Sequence, residues 1–221
     1  LDTTVYPVDL TTGSDSITVT SKETPKTGNI DLVKVSSNTT ITNNNSNYSL
    51  QGAIYTIYTN ANCTTKYGSM TTDINGKANI SNLPLGTYYV KETTASKGFN
   101  LDTQVYTVNL TTATNATVTK SITSTETPKV SGLTIKKVST NTSVTNGNNN
   151  YSLQGAEYTL YTDSTCKIVY KSSTTNNLGY ITFENIPSGK YWVKETKASK
   201  GYELDTTVYP VDLTTGSDSI T

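Results

Sequence analysis

Apolar residues in this chain recur at every second position, in short runs, and good helix formers never cluster at helical spacing. Ile30, Leu32 and Lys34 share one face of GNIDLVKVSS. Ala53, Tyr55 and Ile57 share a face in SLQGAIYTIYT, Tyr88, Val90 and Glu92 in GTYYVKET, and Tyr106, Val108 and Leu110 in VYTVNL. A period of two is the pattern of a strand with one buried face. Between the runs, DINGKANISNLPLG holds an Asn-Gly turn and a proline bend, the turn chemistry of a hairpin. The order then returns, with Leu133, Ile135 and Lys137 in GLTIKKVST, SLQGAEYTLYT, and Tyr191, Val193 and Glu195 in GKYWVKET. The alternation predicts an all-β chain with about seven short strands in each unit, arranged as Greek-key β-sandwiches. Tyr88, Tyr106, Tyr191 and Tyr209 keep the strand period and read as core. Trp192 alternates outward with Lys194 and reads as a surface or domain-interface aromatic.

The runs are organised by repetition. Gly86–Leu110 and Gly189–Leu213 are two full copies of one stretch, and Leu1–Thr18 returns letter for letter as Leu204–Thr221, an offset of 203 residues. Such a return is expected of an array whose period holds two similar domains. Residues 1–26 are then the last strands of a preceding repeat, ending in the alternating strand SITVTSKETPK with Ile17, Val19 and Ser21 on one face. Residues 27–129 form one complete domain, and 130–221 form a second whose last strand is incomplete. Either continuing sequence completes that domain, or residues 1–26 of a neighbouring copy donate the strand. The short connector ETPK-T-G contains proline and favours a semi-rigid rod.

Composition narrows the function. The net charge is zero, which disfavours nucleic acid and acidic membranes as partners. No apolar run is long enough to span a bilayer, so no membrane insertion is expected. Thr, Asn, Ser and Tyr dominate, as suits strands and turns. There is no histidine, which removes the commonest general base and metal ligand. No metal cluster, phosphate loop or nucleophile–base set is visible, so neither a cofactor nor enzymatic action on an external substrate is expected. Cys63 and Cys166 fall one per domain, in TNANC and TDSTC. They suit a bridge between neighbouring domains or chains, or free thiols at strand ends.

One constellation carries chemistry. Strand alternation points Lys34 and Lys137 inward at the end of the first strand of each unit, and Glu92 and Glu195 inward on the KET strand. Lys and Glu are almost never fully buried unless paired, so the pattern predicts that they meet. Burial lowers the pKa of a lysine and raises that of a glutamate, giving an amine nucleophile beside a proton donor. With a carboxamide or carboxyl carbon alongside, the amine could form a side-chain amide; otherwise the two groups are a buried ion pair.

The pattern I-x-L-x-K, L-x-G-A-x-Y, N-G and L-P-x-G-T-Y-Y-V-x-E-T-x-A-x-x-G-F resembles the collagen-adhesin B-type (CnaB) domain. That family includes adhesin stalk repeats and shaft domains of sortase-assembled pilins of Gram-positive bacteria. The resemblance covers both units. It implies tandem Ig-like, transthyretin-like sandwiches and an autocatalytic Lys–Asn/Asp isopeptide bond assisted by glutamate, with Lys34 and Lys137 as amines and Glu92 and Glu195 as assistants. The acceptor departs from the family, which places Asn or Asp on the last strand. Here Ser21 and Ser124, or in another alignment Glu23 and Glu126, take that place. Asp9, Asn109 and Asp212 vary only between Asn and Asp, as an acceptor would, yet alternation points Asn109 outward unless a bulge re-aims it.

The expected function is a structural repeat of an extracellular, cell-surface stalk, fibre or pilus-like shaft whose partners are neighbouring repeats or subunits. The competing reading is an adhesin module that binds a host protein or glycan through the polar loops Asn38–Asn47 and Asn141–Asn150. The similarity of ITNNNSNYSLQG to VTNGNNNYSLQG favours a spacer.

Overall fold

The computed structural model describes every residue except 1, 12, 14, 15, 112–116, 216–218 and 221, and describes 219–220 by backbone alone. The first unit runs β1 (Thr27–Ser36), the one-turn helix α1 (Thr39–Thr42), β2 (Ile54–Tyr58), β3 (Lys66–Thr71), β4 (Lys77–Pro84), β5 (Thr87–Thr94), β6 (Val105–Asn109) and β7 (Thr117–Glu126). The second repeats the order as β8 (Val130–Lys136), α2 (Thr142–Thr145), β9 (Glu157–Tyr161), β10 (Val169–Thr174), β11 (Tyr180–Pro187), β12 (Lys190–Lys197), β13 (Val208–Asp212) and β14 (Ser219–Ile220).

Each unit holds a three-stranded and a four-stranded sheet. In the first, the strand orders are β4-β1-β7 and β3-β2-β5-β6; in the second, β11-β8-β14 and β10-β9-β12-β13. The alternation read from sequence has a direct physical outcome. Ile30 and Leu32 of one sheet, and Tyr55, Ile57, Tyr88, Val90 and Val108 of the other, all bury and pack into one core. The second core is built alike from Leu133, Tyr158, Leu160, Phe183, Tyr191 and Val193. All but one strand pairing is antiparallel within the first unit. The exception is β7, which lies parallel to β1 over ten pairs from Thr27↔Thr117 to Ser36↔Glu126. A parallel neighbour needs a long crossover, and here that crossover is the whole intervening sandwich. The last strand therefore locks the first.

Two expectations change. Tyr209 is 46% exposed rather than core, because β8 has a neighbour on that edge only at Ser219↔Gly132 and Ile220↔Leu133 among the described residues. Residues 16–26 are assigned to no strand among the described residues, and Ile17 and Val19 stay half exposed. Alternation records which face a strand would bury, not whether a sheet edge is there to receive it.

The two sandwiches meet where side chains of the first reach main-chain atoms of the connector and of the second. The Tyr48 hydroxyl donates to the Lys129 carbonyl in the connector (2.6 Å) and accepts the Ser188 amide of the second unit (2.8 Å). The side-chain amides of Asn45 and Asn47 both donate to the Ser188 carbonyl at 3.1 Å. The connector is itself held, since the Lys129 amide donates to Gly98 O and Phe99 bridges Pro128.

Candidate functional site

Lys34 ends the buried face of β1, and an Asn-Gly turn fixes the backbone beside it. Asp73 accepts the amides of Asn75 and Lys77 (2.8 Å each), and the Lys34 amide donates to Gly76 O. Gly76 has φ +73°, and a Cβ there would sit 2.4 Å from the Lys34 carbonyl oxygen. Only glycine fits such a backbone approach without strain. The ammonium therefore enters the space between the sheets from a fixed strand end.

Inside, Lys34 meets two carboxylates. Its Nζ lies 3.0 Å from Glu92 Oε1 on β5 and 2.9 Å from Glu126 Oε2 on β7, and all three side chains are buried. The contact with Glu126 is short without being an aligned hydrogen bond. The other oxygen of Glu126 accepts the Ser124 hydroxyl (2.6 Å) and the Tyr55 hydroxyl (2.9 Å). Glu92 Oε2 accepts the Asp102 amide (2.7 Å), and the Phe99 ring covers the ammonium at 5.1 Å. Burial raises the Glu92 pKa above the usual range for a glutamate, against the opposing pull of the Asp102 amide and Lys34. Burial likewise raises the Tyr55 pKa. Tyr106 completes the edge, donating to Asp102 Oδ2 (2.8 Å) and to Ser124 Oγ (3.1 Å), with its own pKa pushed up to about 12 by burial.

The second unit keeps half of this. Lys137 Nζ lies 2.8 Å from Glu195 Oε1, Glu195 Oε2 accepts the Asp205 amide, and the Tyr202 ring covers the ammonium. Tyr209 donates to Asp205 Oδ2 (2.6 Å), which holds the Asp205 carboxyl below its usual pKa. Among the described residues, Lys137 has no counterpart of Glu126.

The structure thus brings Lys34 to Glu92 and Lys137 to Glu195, and it adds Glu126 and Ser124. It leaves Asn109 and Asp212 elsewhere. Asn109 is exposed and accepts the Thr87 hydroxyl, and Asp212 is 55% exposed beside Lys190. No bulge re-aims Asn109, because β5 and β6 pair without a register shift from Thr87↔Asn109 to Lys91↔Val105. Cys63 and Cys166 are free thiols in the β2–β3 and β9–β10 turns. The Asn38–Asn47 loop supplies Asn45 and Asn47 to the joint. Tyr48 is the joint residue least visible in sequence, since it recurs as Tyr151 just as Tyr55 recurs as Tyr158 and Tyr88 as Tyr191, and nothing local sets it apart among 16 tyrosines.

Comparison with known proteins agrees with this architecture. The family described as the SpaA prealbumin-like fold domain matches residues 28–126 and again 131–221. No curated protein sequence matches. Among solved structures, the Bacillus anthracis TIE protein is similar at 27% identity and a TM-score of 0.67, over 88% of this chain and 33% of that one. The chain thus spans about a third of that protein. The C-terminal fragment of the pilus adhesin SpaC from Lactobacillus rhamnosus GG is 16% identical with a TM-score of 0.48, over 86% of this chain and 83% of that one. With both sandwiches matched by one family, the chain belongs to the SpaA prealbumin-like fold domains, in two consecutive copies.

Proposed function

We propose that this chain is a structural repeat of an extracellular, cell-surface stalk or pilus-like shaft, and not an enzyme acting on an external substrate. The observation that carries the reading is the joint, where one tyrosine hydroxyl ties the connector and the next sandwich together at Lys129 O and Ser188 N. A spacer transmits force or sets distance only if its units hold one orientation, and the side-chain to main-chain hydrogen bonds across the joint support that. The test is alignment by residual dipolar couplings. One tensor fitting both sandwiches is the expected result; two independent tensors would overturn the shaft reading.

The buried trio deepens the proposal. The isopeptide acceptor in the first sandwich is assigned here to Glu126, in place of Asn109. A site holding one lysine and two glutamates is electrically neutral with one carboxyl protonated. The same proton count allows a free amine and two carboxylic acids, which is what condensation requires. The Lys34 amine attacks Glu126 Cδ, and the Ser124 and Tyr55 hydroxyls hold the oxygen that becomes the amide carbonyl. Glu92 takes the amine proton and returns a proton to the departing hydroxyl, so one N–C bond forms, one C–O bond breaks and water leaves. The product replaces two buried charges by a neutral amide, removing their desolvation cost. Intact mass under denaturing conditions tests this. Loss of one water, with Lys34 and Glu126 peptides joined, is expected. An unmodified mass would leave the trio as a non-covalent ion cluster.

A further inference from the structure

We propose that the outer edge of β6 takes the same edge of a second copy of this chain, antiparallel about Thr107, so that two four-stranded sheets become one. The inference goes beyond the shaft reading and does not rest on it. In a shaft the contact would join two fibres side by side.

β6 lies inside the complete first sandwich, at the end of the order β3-β2-β5-β6. Its register to β5 fixes which groups face outward. The Leu110 amide donates to Gly86 O at 2.8 Å, while Thr87 pairs with Asn109 and Tyr89 with Thr107. In an antiparallel ladder, hydrogen-bonded and non-hydrogen-bonded pairs alternate. Tyr106 and Val108 therefore bond to β5, and Val105, Thr107 and Asn109 turn their N–H and C=O groups away from it. Among the described residues no strand pairs with those groups. A groove of about 710 Å³ lies beside them, lined by Thr107, Asn109, Lys120, Ser121 and Thr123.

An open edge is a template for another strand, and sheet proteins blunt such edges with charges, proline or bulges. The other outer edges of the four-stranded sheets are blunted in these ways. β3 carries Lys66 and a register shift, β10 carries Lys171 and a register shift, and β13 carries Pro210. β6, VYTVN, holds no charge and no proline, and it pairs with β5 without a shift. The contrast with β13 is the most direct. VYTVN and VYPVD take the same place in the two repeats, and Pro210 stands opposite Trp192 as Thr107 stands opposite Tyr89. Proline there costs no bond to β12, because its nitrogen faces outward. It removes the donor that an added strand would use. The first sandwich keeps that donor.

The occupant follows from self-complementarity. Antiparallel pairing centred on Thr107 sets Thr107 opposite the partner's Thr107, Val105 opposite the partner's Asn109, and Tyr106 opposite the partner's Val108. The pairs at 105, 107 and 109 then exchange both main-chain hydrogen bonds. Thr–Thr and aromatic–β-branched pairs are favourable cross-strand neighbours, and no like charges meet along the strand. Val105, 39% exposed in the single chain, loses solvent contact. The contact is two-fold and closes on itself, so it makes pairs and adds no length to a shaft.

The test is sedimentation velocity on the full chain across a concentration series, with Thr107→Pro as the variant. The second repeat carries proline at this place in its own strand, so T107P should keep the fold. Wild type is expected to pair reversibly, and T107P should weaken pairing by roughly tenfold or more. A second readout needs no variant: amide exchange at Val105, Thr107 and Asn109 should slow in wild type as concentration rises. Wild type that stays monomeric, or that self-associates without protecting the Thr107 amide, overturns the proposal, as does a folded T107P that pairs like wild type. Tyr48→Phe, which unfastens the joint, should pair as wild type does, so failure of the edge contact and failure of the shaft reading are distinguished.

Discussion

The Tyr48 hydroxyl accepts the Ser188 amide across the joint at 2.8 Å while donating to the Lys129 carbonyl at 2.6 Å. One side-chain atom thereby satisfies two main-chain groups in two structural units. Tyr48→Phe removes both bonds and leaves the buried Ser188 amide without a partner, at a cost of about 1–3 kcal/mol. Each sandwich should keep its own fold. Amide exchange at Ser188 should accelerate, and the two sandwiches should align independently; an unchanged exchange rate would show that the joint is held elsewhere.

Lys34→Met should destabilise the first sandwich severely. It leaves Glu92 and Glu126 buried together without a cation, and breaking a buried pair in this way costs about 3–5 kcal/mol. Lys137→Met leaves Glu195 alone, and the loss should be smaller. Urea unfolding of the two variants, followed by probes in each sandwich, gives the comparison.

Stability should depend on pH through Glu92. Burial raises its folded pKa above the ordinary 4.5, so the folded state holds that proton more tightly than the unfolded chain does. The resulting stability is fully present below about 4.5 and is lost as pH rises through the higher folded value. Urea midpoints of the first sandwich should therefore fall across that window. Glu92→Gln should flatten the slope, and an unchanged slope would assign it to another group.

Gly76→Ala combines a strained φ with a clash. The residue sits at φ +73°, and its new Cβ would meet Lys34 O at 2.4 Å. A loss of about 1–3 kcal/mol is expected. Gly52→Ala is the control, since φ is +91° there but nothing lies within 4 Å; its loss in thermal unfolding should be the smaller.

Much of the site was legible in the chain itself. Period-two alternation put Lys34 and Glu92, and likewise Lys137 and Glu195, on inner faces, and two inner faces of one sandwich must meet. The second carboxylate was not legible, because the sequence left two alignments of the last strand open, with Ser124 or Glu126 in the family's acceptor place, beside Asn109 on the preceding strand. Parallel register decided among them, setting Ser36 opposite Glu126 and leaving Asn109 on the solvent side.

The chain by itself determined the strands, their buried faces, the two-fold repetition and the inward lysine–glutamate pairs, because each follows from the local pleat and from self-similarity. Only the tertiary structure decided that Glu126 is the second carboxylate of Lys34, that Tyr48 fastens Ser188, and that Tyr209 lies open. Those depend on which strand edges meet across ninety or more residues, and that is set by register and packing between sheets rather than by any local pattern.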